Sequence, residues 1–284
     1  MASPQIELES NEQPRRAEDQ HRIVHEVNIS RPQWKTIFIV TLIVFIVSTS
    51  VLTVFYFALF VKKTKGIELR PRDCGEIYLK RGNGIYTIFH NSSSNSGYTV
   101  YCDFETDNGN WTVFQRRING TTNFFRGWEE YENGFGNLKA EFWLGNKKIN
   151  ELTSNGLHEL RVDLTDFEGN TGYAKYSKFF VGNVSTLYKL DADGNSGDLG
   201  DSLESNNGMR FSTKDRDNDV YRGNCANINN AAWWYSHCTW VNLNGRYLQG
   251  GKIDVKGITW YKWKSSYYSM KSSVMMLRKV YPPG

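Results

Sequence analysis

The segment that decides the fold reads DRDNDVYRGNCANINNAAWWYSHC and runs from Asp215 to Cys238. Three acids occupy alternate positions at its start, and two adjacent tryptophans lie between two cysteines. Acids, glycine and asparagine are typical of loops, whereas tryptophans are more often part of a core than of a ligand platform. The combination predicts a loop-built region that a metal ion and a disulfide hold in place above buried tryptophans.

The alternating acids Asp215, Asp217 and Asp219 are candidate calcium ligands. Ca²⁺ takes about 6–8 oxygen ligands, and alternate side chains of an extended segment point the same way. Gly223 would allow a turn that brings backbone carbonyls to the ion. The spacing therefore favours a calcium site in this loop.

The loop does not follow the EF-hand pattern. Its sixth position is Val220, where an EF-hand needs glycine, and its twelfth is Ala226, where an EF-hand needs glutamate. The alternative to calcium is a solvated acidic loop whose charge Arg216 and Arg222 balance. The residues alone leave both interpretations open.

All four cysteines lie after residue 70, and an even number in a loop-rich region predicts two disulfides. They are Cys74, Cys102, Cys225 and Cys238. Four cysteines permit three pairings, and the spacing selects none of them. A bridge between Cys225 and Cys238 would stabilise the fold by roughly 3 kcal/mol in the chain-entropy treatment. Zinc is disfavoured, because there is no Cys-x-x-Cys and His237 is the only histidine near a cysteine.

Residues 36–61 form a predicted transmembrane helix, since this run contains no charged side chain. About 20 apolar residues suffice to cross a bilayer core of roughly 30 Å. A cleaved signal peptide would have a shorter apolar stretch and would not begin as late as Thr36. Trp34 and several lysines flank the run, as interfacial anchors do.

The cysteines and glycosylation sequons that follow the span indicate its orientation, whereas the flanking charges do not. Lys and Arg flank both ends, so the positive-inside rule is near a tie and slightly favours the opposite orientation. The cysteines and four glycosylation sequons all follow the span, which favours an oxidising exterior for that side. The sequons begin at Asn91, Asn110, Asn119 and Asn183. We expect a single-pass type II plasma-membrane protein with a signal-anchor and a cytoplasmic N-terminus.

The chain divides into a tail, a span, a linker and one domain. We predict a disordered cytoplasmic tail over 1–35, the helix over 36–61, a short linker over 62–72 and a folded domain over 73–284. The linker has no heptad run for a coiled-coil stalk, so an oligomer, although plausible, would need other contacts. Short elements and frequent turns after the linker predict an α+β domain with a mainly antiparallel sheet.

Several elements of that domain can be predicted from pattern. Alternating Leu160, Val162 and Leu164 indicate a half-buried strand, and a turn at 168–170 makes a hairpin with the next strand. The sequence also predicts a strand over 109–117, a short helix from Trp128 to the glycines at 134 and 136, and largely loop over 191–218.

Composition and motifs exclude two function classes. The net charge of +4 comes without a long basic block, which argues against nucleic-acid binding. The five histidines lie in no metalloprotease or nucleophile-elbow setting, so we expect no enzyme. His158 is expected to be a surface or packing residue, and Glu129 and Glu130 are expected to be solvated.

Four ordered motifs resemble the fibrinogen-related C-terminal domain family, which includes fibrinogen chains, ficolins, tachylectins, tenascins and angiopoietins. They are FRGWEEYENGFGNLKAEFWLGN (125–146), FSTKDRDNDVYRGNCA (211–226), the run at 233–247 and YYSMKSSVMMLR (267–278). The resemblance covers about 73–282. The layout is similar to that of a membrane-anchored receptor of this family that binds acetylated glycans.

The resemblance implies site residues that the spacing does not select. It implies disulfides Cys74–Cys102 and Cys225–Cys238. It implies calcium bound by the side chains of Asp217 and Asp219 and the backbone carbonyls of Tyr221 and Gly223. Asp215 would support these ligands without touching the ion, and the peptide bond before Cys238 would be cis.

The same resemblance implies a ligand pocket beside the second disulfide. Its residues here would be Asn229, His237, Cys238 and Thr239. Acetyl-binding relatives are similar to one another in having Tyr and His where this chain has Asn229 and Thr239, and Asp254 and Val255 replace an aromatic side chain. We expect a recognition lectin of the innate type that binds glycans, including acetylated ones. The alternative is an adhesion or signalling protein that binds an extracellular protein partner.

Overall fold

A nine-stranded antiparallel sheet organises the domain in this computed structural model, which describes residues 31–65, 70–89, 96–238 and 240–281. The strands of this sheet are β1 Gly84–Phe89, β2 Gly97–Asp103, β3 Trp111–Arg117, β4 Phe135–Gly136, β5 Phe142–Trp143, β6 His158–Thr165, β7 Thr171–Val181, β8 Leu190–Gly197 and β11 Ser272–Lys279. Seven of them follow one another across the sheet in the order β1-β2-β3-β11-β6-β7-β8. A separate pair joins β9 (Val241–Asn242) to β10 (Thr259–Trp260). The predicted fold class is confirmed.

The centre of the sheet is built from distant parts of the chain. β11 lies between β3 and β6 and pairs antiparallel with both. The short β4–β5 pair extends the sheet beside β3, where Gln115 and Arg116 pair with Trp143 and Phe142. The domain therefore cannot complete its sheet without the segment 272–279.

The predicted hairpin, strand and short helix are confirmed. β6 alternates buried and half-buried positions and pairs with β7 across the predicted turn, because period-2 hydrophobicity buries one face of a strand. β3 lies within the predicted range 109–117. The helices of the domain are α2 Trp128–Asn133, α3 Asn146–Thr153, α4 Cys225–Asn229 and α5 Tyr261–Lys264.

The prediction of loop over 191–218 was wrong for its first part. Leu190–Gly197 is a strand that pairs with β7 along most of its length. Asp and Gly disfavour strands, but β8 lies at the sheet edge, where acids such as Asp191 and Asp193 stay in water. Only Leu190 and Ala192 of this strand are buried. Loop and a 3₁₀ turn follow from residue 198.

The tryptophans of the deciding segment belong to the core. Trp233 and Trp234 are fully buried, and Trp234 contacts the rings of Trp143 and Phe211. The indole of Trp234 also donates to the carbonyl of Tyr188, 2.7 Å away. These rings join the sheet to the loop-rich region that precedes β11, so the site is built on a rigid aromatic base.

The N-terminal unit contains one long helix, α1, from Arg31 to Lys65. Within it, Gln33–Leu59 is long and apolar enough to cross a membrane. The chain separates into two compact units, residues 1–68 and residues 69–284. The predicted tail before residue 31 lies outside the described residues.

Candidate functional site

The acidic loop is attached to the core through Asn218. Its side-chain amide donates to the carbonyl of Phe211 at 2.7 Å, and its backbone N–H donates to the hydroxyl of Ser212 at 2.9 Å. Phe211 and Ser212 are both fully buried. The loop therefore has a fixed base, while Asp217 on one side of Asn218 remains exposed.

Asp215 caps the helix α2. Its Oδ1 accepts the backbone N–H of Trp128 at 2.9 Å and the hydroxyl of Thr213 at 2.6 Å. Burial alone would raise the pKa of Asp215, but these hydrogen bonds outweigh it and hold the pKa below its ordinary value. A side chain at Gly127 would lie 2.7 Å from this carboxylate, so glycine is required there.

Asp217 and Asp219 form the acid pair of the loop. The two oxygens of Asp219 accept the backbone N–H groups of Tyr221 at 3.0 Å and Cys225 at 3.0 Å. Burial raises the pKa of Asp219 to about 6, the two N–H donors oppose this rise, and the neighbouring carboxylate of Asp217 adds to it. Two adjacent carboxylates repel each other unless a cation neutralises them.

No arginine or lysine supplies that cation within the part of the chain that the structure describes. Arg216, which would balance the loop in the alternative to calcium, places its guanidinium 4.1 Å from the centre of the Trp128 ring. No ion pair joins Arg222 to Asp217 or Asp219. The acid pair therefore keeps an uncompensated negative charge.

The residues fit the calcium set that the resemblance implies. Among the described residues, the carbonyls of Tyr221 and Gly223 accept no hydrogen bond, so both keep free lone pairs beside the acid pair. Gly223 does not have a positive φ; a side chain there would contact the Tyr221 ring at 3.3 Å. The backbone at Gly223 therefore does not depend on a conformation that only glycine adopts. The described residues contain no cluster of three or more His, Cys, Asp or Glu side chains that could hold a metal ion. The calcium set that the resemblance implies has only two such side chains, because its other two ligands are backbone carbonyls.

Both disulfides have the pairing that the resemblance implies. Cys74 is bonded to Cys102 and Cys225 to Cys238, with Cα atoms 5.6 Å and 5.1 Å apart. Cys225 begins helix α4, and its backbone N–H donates to the carboxylate of Asp219. The acid pair and the second disulfide are thus directly coupled.

The expected cis bond before Cys238 was wrong. All peptide bonds between described residues are trans, as non-proline residues prefer. The chain reverses direction here because the backbone of Cys238 is left-handed, with φ of 60°. The N–H of Ser236 donates to the carbonyl of Cys238 across this turn. This turn presents His237 at the surface.

The expected ligand residues separate into a surface group and a buried one. His237 is exposed, Cys238 is half-buried, and Thr239 lies outside the described residues. Asn229 is only 2% exposed; its side-chain amide donates to the backbone carbonyl of Cys225 at 3.0 Å, and its backbone carbonyl accepts from the side-chain amide of Asn242 at 3.2 Å. The side chain of Asn229 therefore closes helix α4 inside the domain, and its contact with a ligand stays a prediction.

An aromatic face beside these residues escaped the sequence analysis. Trp240 is 40% exposed and stacks on Tyr261, with planes 26° apart, and Tyr261 contacts Tyr267. Lys262 lies over the Trp240 ring and pairs with Glu204 at 2.8 Å. The backbone pairing of β9 with β10 aligns Trp240 and Tyr261. The signal in the sequence was a tryptophan, Trp240, directly before the short buried strand β9.

The comparisons with known proteins identify the family. Residues 70–280 match the model of the fibrinogen beta and gamma chains, C-terminal globular domain. The chain belongs to this family. Proteins with this domain mediate recognition and binding.

Individual relatives and solved structures agree with that assignment. Fibrinogen-like protein 1 of Rattus norvegicus is 46% identical over 225 residues, which cover 72% of this chain and 71% of that protein. Fibrinogen C domain-containing protein 1 of Homo sapiens is 47% identical over 228 residues, 74% of this chain and 49% of that protein. The chain thus spans about half the length of the human relative.

Two solved structures share the fold. The fibrinogen-like globe domain of human ANGPTL2 superposes with a TM-score of 0.69 at 39% identity, over 74% of this chain and 99% of that one. A lamprey fibrin D-dimer complexed with the peptide ligand Gly-His-Arg-Pro-amide gives a TM-score of 0.69 at 30% identity, over 89% and 91% of the two chains.

Proposed function

We propose that this chain is a single-pass plasma-membrane recognition protein whose fibrinogen C-terminal domain lies outside the cell. The apolar stretch Gln33–Leu59 supports the anchor. Two disulfides in the domain support an oxidising compartment. The N-terminal tail would then be cytoplasmic, and copies held in one membrane would gain avidity for a multivalent ligand.

We propose that the domain binds glycans, including acetylated ones, at the surface made by His237, Cys238 and the aromatic face, and that Thr239, named by the resemblance, also contacts the ligand. One observation carries this proposal: the exposed ring of Trp240, stacked on the half-buried ring of Tyr261, follows directly on the disulfide-bonded turn. A flat aromatic face beside polar groups suits the C–H face and the hydroxyls of a sugar ring.

Calcium would be held by the side chains of Asp217 and Asp219 and the carbonyls of Tyr221 and Gly223. The ion would neutralise the acid pair and tie the two ends of the loop together. Asp219 would transmit this order to the site, because its second oxygen holds the first N–H of helix α4 at Cys225. The disulfide then carries the same restraint to Cys238 and the turn at His237.

A glycan-binding assay on the full-length chain in detergent tests this function. We expect calcium to raise the Tm and to increase binding, and Asp217→Ala with Asp219→Ala to abolish both effects. Asp191→Ala with Asp193→Ala is the matched control, because these acids also alternate but lie on edge strand β8. Undiminished glycan binding by the Asp217/Asp219 variant would count against the proposal.

A second candidate function is the binding of a protein through its terminus or a loop. A relative of the same fold was solved with a tetrapeptide ligand, and the burial of Asn229 removes one contact expected for an acetyl pocket. A titration with Gly-His-Arg-Pro-amide separates the two functions. Saturable peptide binding, lost in Trp240→Ala and absent for every sugar tested, would favour this candidate.

A further inference from the structure

A pocket between two loops of the domain shares no lining residue with the aromatic face. Its volume is about 310 Å³, at the lower end of pockets that enclose small ligands. One wall is the loop 120–125, the other is the segment 245–247, and Asn230 lies at the junction. None of the residues named above as glycan contacts lines it.

The inner wall of this pocket contains a buried arginine with unused donors. Arg117 is 1% exposed, and its Nη1 donates to the carbonyls of Leu243 at 3.1 Å and Gly245 at 2.6 Å. Its Nε has no hydrogen-bond partner, and no described residue accepts a hydrogen bond from its Nη2. A buried guanidinium with unused N–H groups is costly unless something accepts from it.

The nearby acid does not satisfy this arginine. Glu141 Oε1 lies 3.8 Å from Arg117 Nε, too far for a hydrogen bond. That oxygen already accepts the backbone N–H groups of Ile118, Asn119 and Gly120, at 2.8–3.0 Å. Glu141 therefore supplies charge beneath the arginine but leaves its donors free.

The outer wall adds a second cation. Arg246 is exposed, and no described side chain pairs with it. Its backbone is fixed, because its N–H donates to the carbonyl of Lys256 at 2.7 Å. No acidic residue lines the pocket, while Thr121, Asn123 and Asn230 supply hydroxyl and amide groups around the two arginines.

We propose that this pocket binds the carboxylate or sulfate group of an acidic sugar residue. Arg246 attracts the anion at the entrance, and the Nη2 group of Arg117 donates to it at the inner wall, as guanidinium groups do to oxyanions. The amide and hydroxyl groups on the rim suit sugar hydroxyls better than an acidic peptide. The sugar part of this proposal rests on the proposed function; the anion part does not.

Calorimetric titration of the full-length chain in detergent tests the pocket with three probes: D-glucuronate, D-glucose and inorganic sulfate. We expect glucuronate and sulfate to bind, more weakly as salt is raised, and glucose not to bind here. Arg246→Gln should weaken glucuronate binding roughly tenfold, the effect of one lost charge-assisted contact. Arg210→Gln, an exposed arginine outside the pocket, should bind like the parent.

The outcomes separate this pocket from the proposed glycan site. Equal glucuronate affinity in Arg246→Gln and Arg210→Gln, or equal affinity for glucuronate and glucose, would overturn the proposal. Tighter binding of a poly-glutamate peptide than of glucuronate would assign the pocket to acidic peptides and overturn it as well. The Asp217/Asp219 variant should still bind glucuronate, so failure of the calcium-linked site leaves this test intact.

Discussion

Glu141 is a single buried carboxylate that organises a whole loop. Its two oxygens accept the backbone N–H groups of Ile118, Asn119, Gly120 and Thr122, and it is the counter-charge of buried Arg117. Burial would raise the pKa of Glu141, but the N–H donors and Arg117 outweigh it and lower the pKa. The residue therefore stays ionised inside the domain.

Glu141→Gln should destabilise the domain by about 3–5 kcal/mol, because it removes the partner of a buried charge. The new amide N–H₂ would also point at backbone donors. Urea denaturation of the full-length chain measures the loss. Glu129→Gln, on an exposed face of α2, should change stability by less than about 0.5 kcal/mol; equal effects of the two changes would refute this role for Glu141.

His158 gives the domain a pH dependence of defined sign. It is 1% exposed on β6, and burial lowers its pKa below the ordinary value despite a contact with the carbonyl of Gly156. The unfolded chain therefore binds the proton more tightly, and stability is lost as pH falls through about 6.5. The expectation that His158 packs rather than reacts agrees with this burial.

We expect the Tm to fall between about pH 7.5 and about pH 5.5, and His158→Gln to reduce that fall. Scanning calorimetry at both pH values measures it. The raised pKa of Asp219 makes the folded state more stable as pH falls. This effect is the same in the parent and in His158→Gln, so it cancels when the two are compared. His237→Gln, at an exposed position, should keep the parental difference; if it flattened the dependence instead, the assignment to His158 would fail.

Single residues of the site were predictable where local pattern determines them. Asp217 and Asp219 follow from alternation, and the pair does lie in one loop without a cation partner. Asn229 was not predictable, because its burial depends on Asn242, a contact made across the fold. The unpaired N–H groups of Arg117 were not predictable either, because they result from the hydrogen bonds that Glu141 accepts from the backbone of the loop after β3.

At the scale of elements, helix α2 depends on a residue 87 positions later in the chain. Asp215 accepts the N–H of Trp128, so the acidic loop caps this helix. The sequence pattern predicts the position of the helix but not its contact with the acidic loop. The cap couples loop order to the aromatic core through Trp128 and its neighbour Tyr188.

Asp215→Ala should cost about 1–2 kcal/mol, the usual effect of losing an N-cap. Asp215→Asn is the control, because its amide oxygen can still accept the same N–H. We expect thermal unfolding to show a lower Tm for the alanine variant and a value near the parent for the asparagine variant. An equally large loss in both would indicate that charge, and not the cap, matters.

Strand β8 shows the limit of composition at this scale. Asp and Gly over 191–197 predict loop, yet pairing with β7 makes a strand, because an edge position removes the cost of exposed acids. The hairpin β6–β7 was predictable because its own hydrophobic alternation determines it.

For the whole molecule, the sequons report on topology. Asn119 and Asn183 are exposed, and in each the side-chain oxygen accepts the hydroxyl of the sequon residue, Thr121 or Ser185, which leaves the amide nitrogen free. Asn110 differs, since its oxygen is held by Lys80 at 2.5 Å and its sequon hydroxyl, on Thr112, is buried. Asn91 lies outside the described residues.

We expect glycans on Asn119 and Asn183 when the chain is expressed in secretory-pathway membranes. Asn119→Gln and Asn183→Gln should each remove one glycosidase-sensitive mobility step, while Asn110→Gln should remove none. A chain without any such step would place the domain on the cytoplasmic side and reverse the proposed orientation.

The position of β11 constrains how this domain is made. Residues 272–279 fill the gap between β3 and β6, so a ribosome must have translated the whole domain before the two halves of the sheet can join. Until then, β2–β3 on one side and β6–β7 on the other expose open strand edges. A frameshift or stop codon ahead of residue 272 would therefore yield two unjoined half-sheets destined for chaperone retention, even with every residue of the binding surface intact.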